Sequence, residues 1–424
     1  MISKASTTTA DREAFVWIWL PGATEPVVAG RLAQDDSGRT QFNYGRSYLE
    51  RSAATPAAIP LYEPELPLRE GGQLPLDGLA MAGCLRDAAP DAWGRRVIIN
   101  KTLGRRGAIT DTAELGELTY LLESGSDRIG ALDFQRSPTE YVSRLATNVA
   151  LEELLESAAR VEQGVPLTPE LDQALFHGSS IGGARPKALI EDGGKKYVAK
   201  FSSGSDLYSV VKAEFIAMRL AALAGVDAAP VRLVSAANRD VLLIERFDRA
   251  RSERGWTRRA MVSALTLLGL DDMLARYASY ETLAEIIRHR FSEPKRTLRE
   301  LFARIVFNIL CGNNDDHARN HAAFWDGRTL VLTPAYDICP QGRAGNQASQ
   351  AMLIVGDDNS SRLATCRAAA HNFLLSGEEA AAIFAAQQEA IETHWAAVCD
   401  EAELSEVDRR LLWRRQFLNP FAFQ

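Results

Sequence analysis

Asn313-Asn314-Asp315-Asp316-His317-Ala318-Arg319-Asn320, followed downstream by Tyr336-Asp337, is the stretch on which the reading of this chain turns. Asp315 and Asn320 stand in the spacing D-x-x-x-x-N, by which a kinase catalytic loop places its base and its metal-binding amide. Between the two motifs lies Phe324-Trp325-Asp326-Gly327-Arg328-Thr329-Leu330-Val331-Leu332. Asp-Gly flanked by strand formers predicts a hairpin, since both turn residues tolerate a positive φ. A loop, a hairpin and then Asp337 would bring two carboxylates and an amide to one end of a short sheet. That arrangement suits ATP and a metal ion. The loop is also denser in polar side chains than a structural loop requires, because each buried polar group needs a partner. Ahead of it, Leu301, Phe302, Ile305, Val306, Ile309 and Leu310 mark the apolar face of a helix that Gly312 should stop.

Phosphoryl transfer also needs donors around the phosphates and a lysine upon them. Upstream, Ser179-Ser180-Ile181-Gly182-Gly183-Ala184-Arg185-Pro186-Lys187 carries two glycines whose backbone N–H groups could approach phosphate oxygens. It is neither a GxGxxG loop nor a P-loop, and such glycine pairs also occur as plain turns. Lys200 lies near the end of the apolar strand Tyr197 to Phe201, and Glu214 on the next predicted helix could hold its ammonium. The plainer alternative is a solvated lysine and a surface glutamate. Ile244-Glu245-Arg246-Phe247-Asp248 follows an apolar strand and could act as a hinge offering backbone groups to an adenine edge; a simple strand end is the alternative. His317 and His321 stand four apart, the spacing of a helical zinc pair, which keeps a dinuclear metal phosphohydrolase as a competing enzyme class. No HExxH frame surrounds them, and His177, His289, His371 and His394 fall in no ligand spacing. Arg95-Arg96 and the basic run from Lys101 to Arg106 read as a solvated helix face, or as a contact for nucleic acid or an acidic partner.

The order of elements supports a bilobal reading. Strands are expected at 16–20, 27–32 and 41–44, a Pro- and Gly-rich loop over 52–78, and helical pattern from Leu79 to Leu122 broken at Gly104-Arg105-Arg106-Gly107. Arg128 to Phe134 reads as a strand entering a second unit, followed by a helix over 142–163. After a Gly193-Gly194 turn come the Lys200 strand, a helix over 209–224 capped by Gly225, and strands at 231–234 and 241–244. Beyond Asp248 nearly everything except the 324–332 hairpin is expected to be helical. This predicts an N-terminal lobe over 1–247, divided at about 125, and a helical C-terminal lobe over 248–424.

Composition is compatible with such an enzyme. The 424 residues are 46% hydrophobic and 24% charged, close to the globular average, and suffice for two or three packed domains. A net charge of −7 provides no global attraction for nucleic acid or anionic lipid. No apolar run approaches the ~20 residues that span a bilayer, and residues 1–12 lack an apolar signal core. Five scattered cysteines form no CxxC pair, so a reduced, cytoplasmic protein is the expectation.

Ser180-Ile-Gly-Gly-Ala-Arg-Pro-Lys187, Val198-Ala-Lys200, Glu245-Arg-Phe-Asp248, Asp315-Asp-His-Ala-Arg-Asn320 and Tyr336-Asp337 together resemble the HipA family of bacterial serine/threonine kinase toxins. The opening strands and Asp91-Ala-Trp-Gly-Arg-Arg96 resemble that family's N-terminal subdomain, so the likeness covers nearly the whole chain. The resemblance implies an α+β, bilobal, protein-kinase-like fold using ATP and magnesium. It implies Asp315 and Lys200 as catalytic groups, with Asn320 and Asp337 on the metal. Gly182, Gly183, Ala184, Lys187, Lys200, Glu245, Phe247, Asp248, His317, Arg319, Asn320 and Tyr336 would surround the nucleotide. Ser180, with Ser179 beside it, falls at the family's autophosphorylated position. It further implies a HipB-like helix-turn-helix antitoxin, operator DNA bound only through that complex, and a cytoplasmic protein substrate, aminoacyl-tRNA synthetases being among the family's targets. Three departures stand out. Arg259-Ala-Met-Val-Ser263 to Leu268 replaces an acidic R-x-x-x-E-D segment, Arg185-Pro186 replaces Gln-Glu, and Asp316 replaces a glycine, adding a charge beside the base. Two alternatives remain open: a small-molecule or lipid kinase on the same scaffold, and an inactive scaffold that only binds antitoxin and DNA.

Overall fold

The computed structural model describes residues 11–53, 55–103, 111, 115–145, 151–162, 185–202, 206, 208–343 and 345–424. The chain divides into two compact units, Met1–Ala188 and Leu189–Gln424. The lobe boundary expected after Phe247 therefore falls inside the second unit.

In the first unit, β1 (Glu13–Ile18), β2 (Val27–Gln34), β3 (Thr40–Tyr44) and β4 (Leu132–Gln135) form one sheet in the order β3-β2-β1-β4. β1 pairs antiparallel with both β2 and β4. The strand expected to open a second unit thus closes the first sheet. The reason lies in Arg128 and Asp133, both fully buried and joined Nε to Oδ1 at 2.8 Å. Arg144 donates to the same carboxylate at 2.8 Å and Tyr141 at 3.0 Å, while Arg128 also donates to the Ala88 carbonyl at 3.0 Å. A desolvated guanidinium has to collect its acceptors from whatever folds around it. Here it gathers the loop, the helix α2 (Glu117–Glu123) and β4 into one body. α1 (Ala92–Leu103) precedes α2, and α3 (Leu151–Glu162) starts later than expected, since 141–145 are not helical.

The second unit contains a sheet of β5 (Lys187–Asp192), β6 (Lys195–Phe201), β7 (Val231–Ala236) and β8 (Arg239–Glu245) in the order β5-β6-β8-β7. Its first strand begins at the unit boundary. Gly193 and Gly194 turn β5 into β6 with φ of +57° and +74°, a two-residue hairpin turn that only left-handed-tolerant residues make cheaply. α4 (Val210–Leu223) packs its apolar face on this sheet. The region beyond Asp248 is less helical than expected. A hairpin, β9 (Arg249–Ser252) with β10 (Gly255–Arg258), is followed by β11 (Ala260–Ser263), which adds to the predicted hairpin β12 (Ala322–Trp325) and β13 (Leu330–Leu332) as a three-stranded sheet. Ala260 to Ser263 alternates weakly because Val262 alone is deeply buried, which hid the strand from periodicity. The longest helices after β11 are α5 (Tyr280–Arg290), α6 (Pro294–Cys311) and α7 (Gly377–Glu401). Among the described residues no helix is long and apolar enough to cross a membrane.

Gly312 ends α6 in a left-handed C-cap at φ +76°, and a Cβ there would lie 2.7 Å from the Gln416 carbonyl oxygen. Both strain and collision follow from any side chain, so Gly312→Ala should destabilise the protein by more than about 1 kcal/mol in a denaturant melt. In the first unit, Asp133→Ala leaves Arg128 a buried cation stripped of its carboxylate. We expect a loss of about 3–5 kcal/mol, read by the same melt, the range for breaking one side of a buried pair.

Candidate active site

Lys200 sits on β6 with its side chain buried, in register with Leu242 of β8. From there its ammonium donates to Glu214 of α4 at 2.5 Å and to Asp337 beyond β13. Burial disfavours the charged amine, but the two carboxylates outweigh it and hold the pKa above the usual lysine value. Asp337 is partly exposed and takes φ +60°, a left-handed conformation that a non-glycine residue adopts only where its surroundings enforce it. The enforcement is visible. Arg304, almost wholly buried on α6, donates to the Thr333 carbonyl at 2.8 Å, and Ala335 exchanges backbone bonds with Asp227 and Ala229 at 2.7 and 2.9 Å.

The loop after α6 carries Asp315 exposed and Asn320 buried. The Asn320 amide donates to the Asp315 carbonyl at 3.3 Å, so backbone and side chain of the two motif residues touch. Partial burial raises the Asp315 pKa; His317 opposes the shift, while Asp337 and Asp316 add to it. A carboxylate whose pKa neighbouring carboxylates raise, with an asparagine side chain bonded to its own backbone, offers oxygen donors of the kind a hard divalent cation takes. Asp316 was expected to add charge beside the base. Instead it is buried, with Oδ2 accepting from Tyr280 Oη, from Asn308 Nδ2 at 2.7 Å and from His321 Nε2 at 2.9 Å. Burial pushes its carboxyl up, but His321 and the hydrogen bonds bring the pKa below the ordinary value. His321, a candidate zinc ligand by its spacing, gives Nε2 to Asp316 and lies buried, with Nδ1 unpartnered among the described residues. The Nδ1 of His317 has no partner among the described residues, and no cluster of three or more His, Cys, Asp or Glu in metal-holding arrangement occurs among them.

Phe247 lies edge-on to Phe324 of β12, with centroids 5.9 Å apart, and 5.7 Å from Tyr336. Tyr336 donates its hydroxyl to the Arg319 carbonyl at 2.7 Å, so through Phe247 and Tyr336 the segment after β8 meets the hairpin and the loop. The Glu245 N–H donates to the Pro230 carbonyl at 2.9 Å, and Pro230 has no N–H to return to the Glu245 carbonyl. The Asp248 carboxylate is buried between Arg246, at 2.9 and 2.8 Å, and Arg249, at 2.9 Å, so it braces the segment that follows β8. Arg319 spends its guanidinium on Asp272, with both bonds at 2.9 Å. Lys187 is buried at the start of β5. Ser179, Ser180, Gly182, Gly183 and Ala184 lie outside the described residues. Reading by sequence missed Tyr280 and Asn308; the signal available was a polar Asn308 set among the apolar positions of α6.

Residues 20–135 match the family model for the HipA N-terminal domain, and residues 179–395 match the HipA-like C-terminal domain. The chain belongs to the HipA family. Among curated relatives, a putative kinase, Y4mE, of Sinorhizobium fredii is 26% identical over 342 residues, 76% of each chain. The serine/threonine-protein kinase toxin HipA of Shewanella oneidensis is 25% identical over 205 residues, 42% of this chain and 47% of that one. A solved structure of Shewanella oneidensis HipA, in complex with HipB and operator DNA, covers 96% of this chain and 99% of that chain with a TM-score of 0.68 at 20% identity. The fold is accordingly the α+β, kinase-like fold of HipA, as expected from the motif order.

If Glu214 serves mainly to hold Lys200, Glu214→Ala should cost about 1.5–3 kcal/mol of stability, as for a charged hydrogen bond. In a Lys200→Met background the same change should cost markedly less. A double-mutant melt series checks this.

Proposed function

We propose that this HipA-family chain is an ATP- and magnesium-dependent serine/threonine protein kinase. The observation that carries the reading is the Lys200 ammonium held between Glu214 and Asp337. A buried lysine with one carboxylate to fix it and a second that can be handed to a metal is what nucleotide phosphates require. On this reading Lys200 keeps Glu214 and turns its free donors to the α- and β-phosphates when nucleotide binds. Asp337 and Asn320 would hold magnesium, which would supply positive charge to offset that of the phosphates. Asp315, exposed at the mouth of the loop, orients the attacking hydroxyl and accepts its proton. Its raised pKa favours that acceptance. Adenine would lie along the hinge, its amino group on the Glu245 carbonyl that Pro230 leaves without a ladder partner, with Phe247 and Tyr336 nearby.

The substrate hydroxyl would belong to a protein. A HipB-like helix-turn-helix protein is the proposed partner, with operator DNA reached through that complex, because the structural neighbour is a HipA bound to HipB and its operator. Ser180 is proposed as a regulatory autophosphorylation site. A phosphate there would add close to two negative charges to a loop meant to cradle phosphates and should repel ATP.

Asp315→Asn should lower phosphoryl transfer from labelled ATP by at least ~100-fold while nucleotide binding survives. Asp337→Ala should abolish the magnesium-dependent part of ATP stabilisation in a thermal-shift titration; an undiminished shift would rule out its ligand role. Glu245→Ala removes only an exposed ion pair with Lys195 and should leave ATP affinity within about threefold, since backbone groups read the base.

A further inference from the structure

Asp316 and His321 each adjoin a motif residue: Asp316 follows Asp315, and His321 follows Asn320. Their side chains meet below the loop, His321 Nε2 to Asp316 Oδ2 at 2.9 Å, with each residue only 3% exposed. A chain segment whose two ends are tied one residue inside or outside the reacting groups cannot change its span without breaking that tie. Tyr280 and Asn308 place the tie in the unit. Tyr280 comes from the first turn of α5, donates to the same Oδ2, and sets its ring edge-on to His321 with centroids 5.6 Å apart. Asn308 comes from the end of α6, donates at 2.7 Å, and accepts from Asn313 at 3.0 Å. The His321 carbonyl also accepts from the Ala264 N–H at 2.7 Å, where β11 ends.

We infer that Asp316 and His321 are positioning residues that set the distance between the Asp315 carboxylate and the Asn320 amide by a buried side-chain staple anchored on Tyr280 and Asn308. The inference rests on the kinase reading of Asp315 and Asn320. Neither staple residue would touch nucleotide or substrate. Their loss would therefore weaken the transfer step more than the binding of ATP.

The test compares wild type, Asp316→Ala, His321→Ala, the double variant, Asp316→Asn and Tyr280→Phe, each confirmed folded by thermal melt. Transfer from labelled Mg-ATP to the protein itself and to a cell lysate gives kcat and KM for ATP. Each alanine variant should lose at least about tenfold in kcat with KM changed by less than about threefold. The double variant should be no worse than about twofold below the weaker single, since both remove one staple; two independent roles would multiply to about a hundredfold. Asp316→Asn keeps an acceptor oxygen in place and should recover most of the loss, whereas Tyr280→Phe, missing one donor, should fall between. Unchanged kcat in a folded Asp316→Ala, or multiplying losses in the double variant, would overturn the inference. A second measurement does not depend on activity. Amide hydrogen exchange without nucleotide should quicken at residues 315–321 in Asp316→Ala, or in His321→Ala or Tyr280→Phe if Asp316→Ala does not fold. Absence of that change overturns the staple, while wild-type protein that exchanges as expected yet transfers no phosphate overturns only the kinase reading.

Discussion

A buried ammonium has few places to put its charge, and the second unit is arranged around that constraint. Lys200 is inside because β6 is an inner strand of its sheet, flanked by β5 and β8. Once there, it has to be met by acceptors from elements that are distant in the chain. Glu214 arrives on the helix that crosses the sheet, and Asp337 arrives after the three-stranded sheet. Removing water from a cation costs several kcal/mol unless the acceptors are close and well aimed, so the ion pair makes the two arrivals conditional on one another. The left-handed backbone at Asp337 is part of the same balance: the local strain is tolerated because Arg304, Asp227 and Ala229 hold the segment from behind.

The polar loop applies the same logic on a smaller scale. Its side chains divide into those turned outward, Asp315 among them, and those turned inward to Asp316. The inward group converges on the Asp316 carboxylate, and that convergence gives the outward group a fixed platform. Hydrogen-bonded neighbours also hold the side chains of Arg319 and Asp248 in place. Each has spent its charge on a bidentate partner, Asp272 and Arg246 respectively.

Much of this was readable in the chain. The hairpin at Asp326-Gly327, the Gly312 stop, the Gly193-Gly194 turn and the strand-helix-strand-strand run from Tyr197 to Glu245 are set by local sterics, and they lie where the residues predict. Strand β4 and strand β11 were misread or missed because their membership depends on partners, not on their own period. The four residues of β4 belong to the first sheet only because Arg128 and β1 are there to receive them. Asp316 resisted interpretation for a related reason. A carboxylate beside a catalytic candidate looks like added charge until the tyrosine and asparagine that bury it are known.

What the sequence determined alone was the identity and order of the chemical groups: a lysine on a strand, a glutamate on the next helix, D-x-x-x-x-N after an apolar helix, and an aspartate after a hairpin. Spacing conveys these because turn geometry and helix periodicity act over a few residues. Only the tertiary structure decided which carboxylates face a cation, which are buried as struts and which remain open to a ligand. Those assignments are settled by desolvation, and whether a charge is desolvated depends on every element that packs over it.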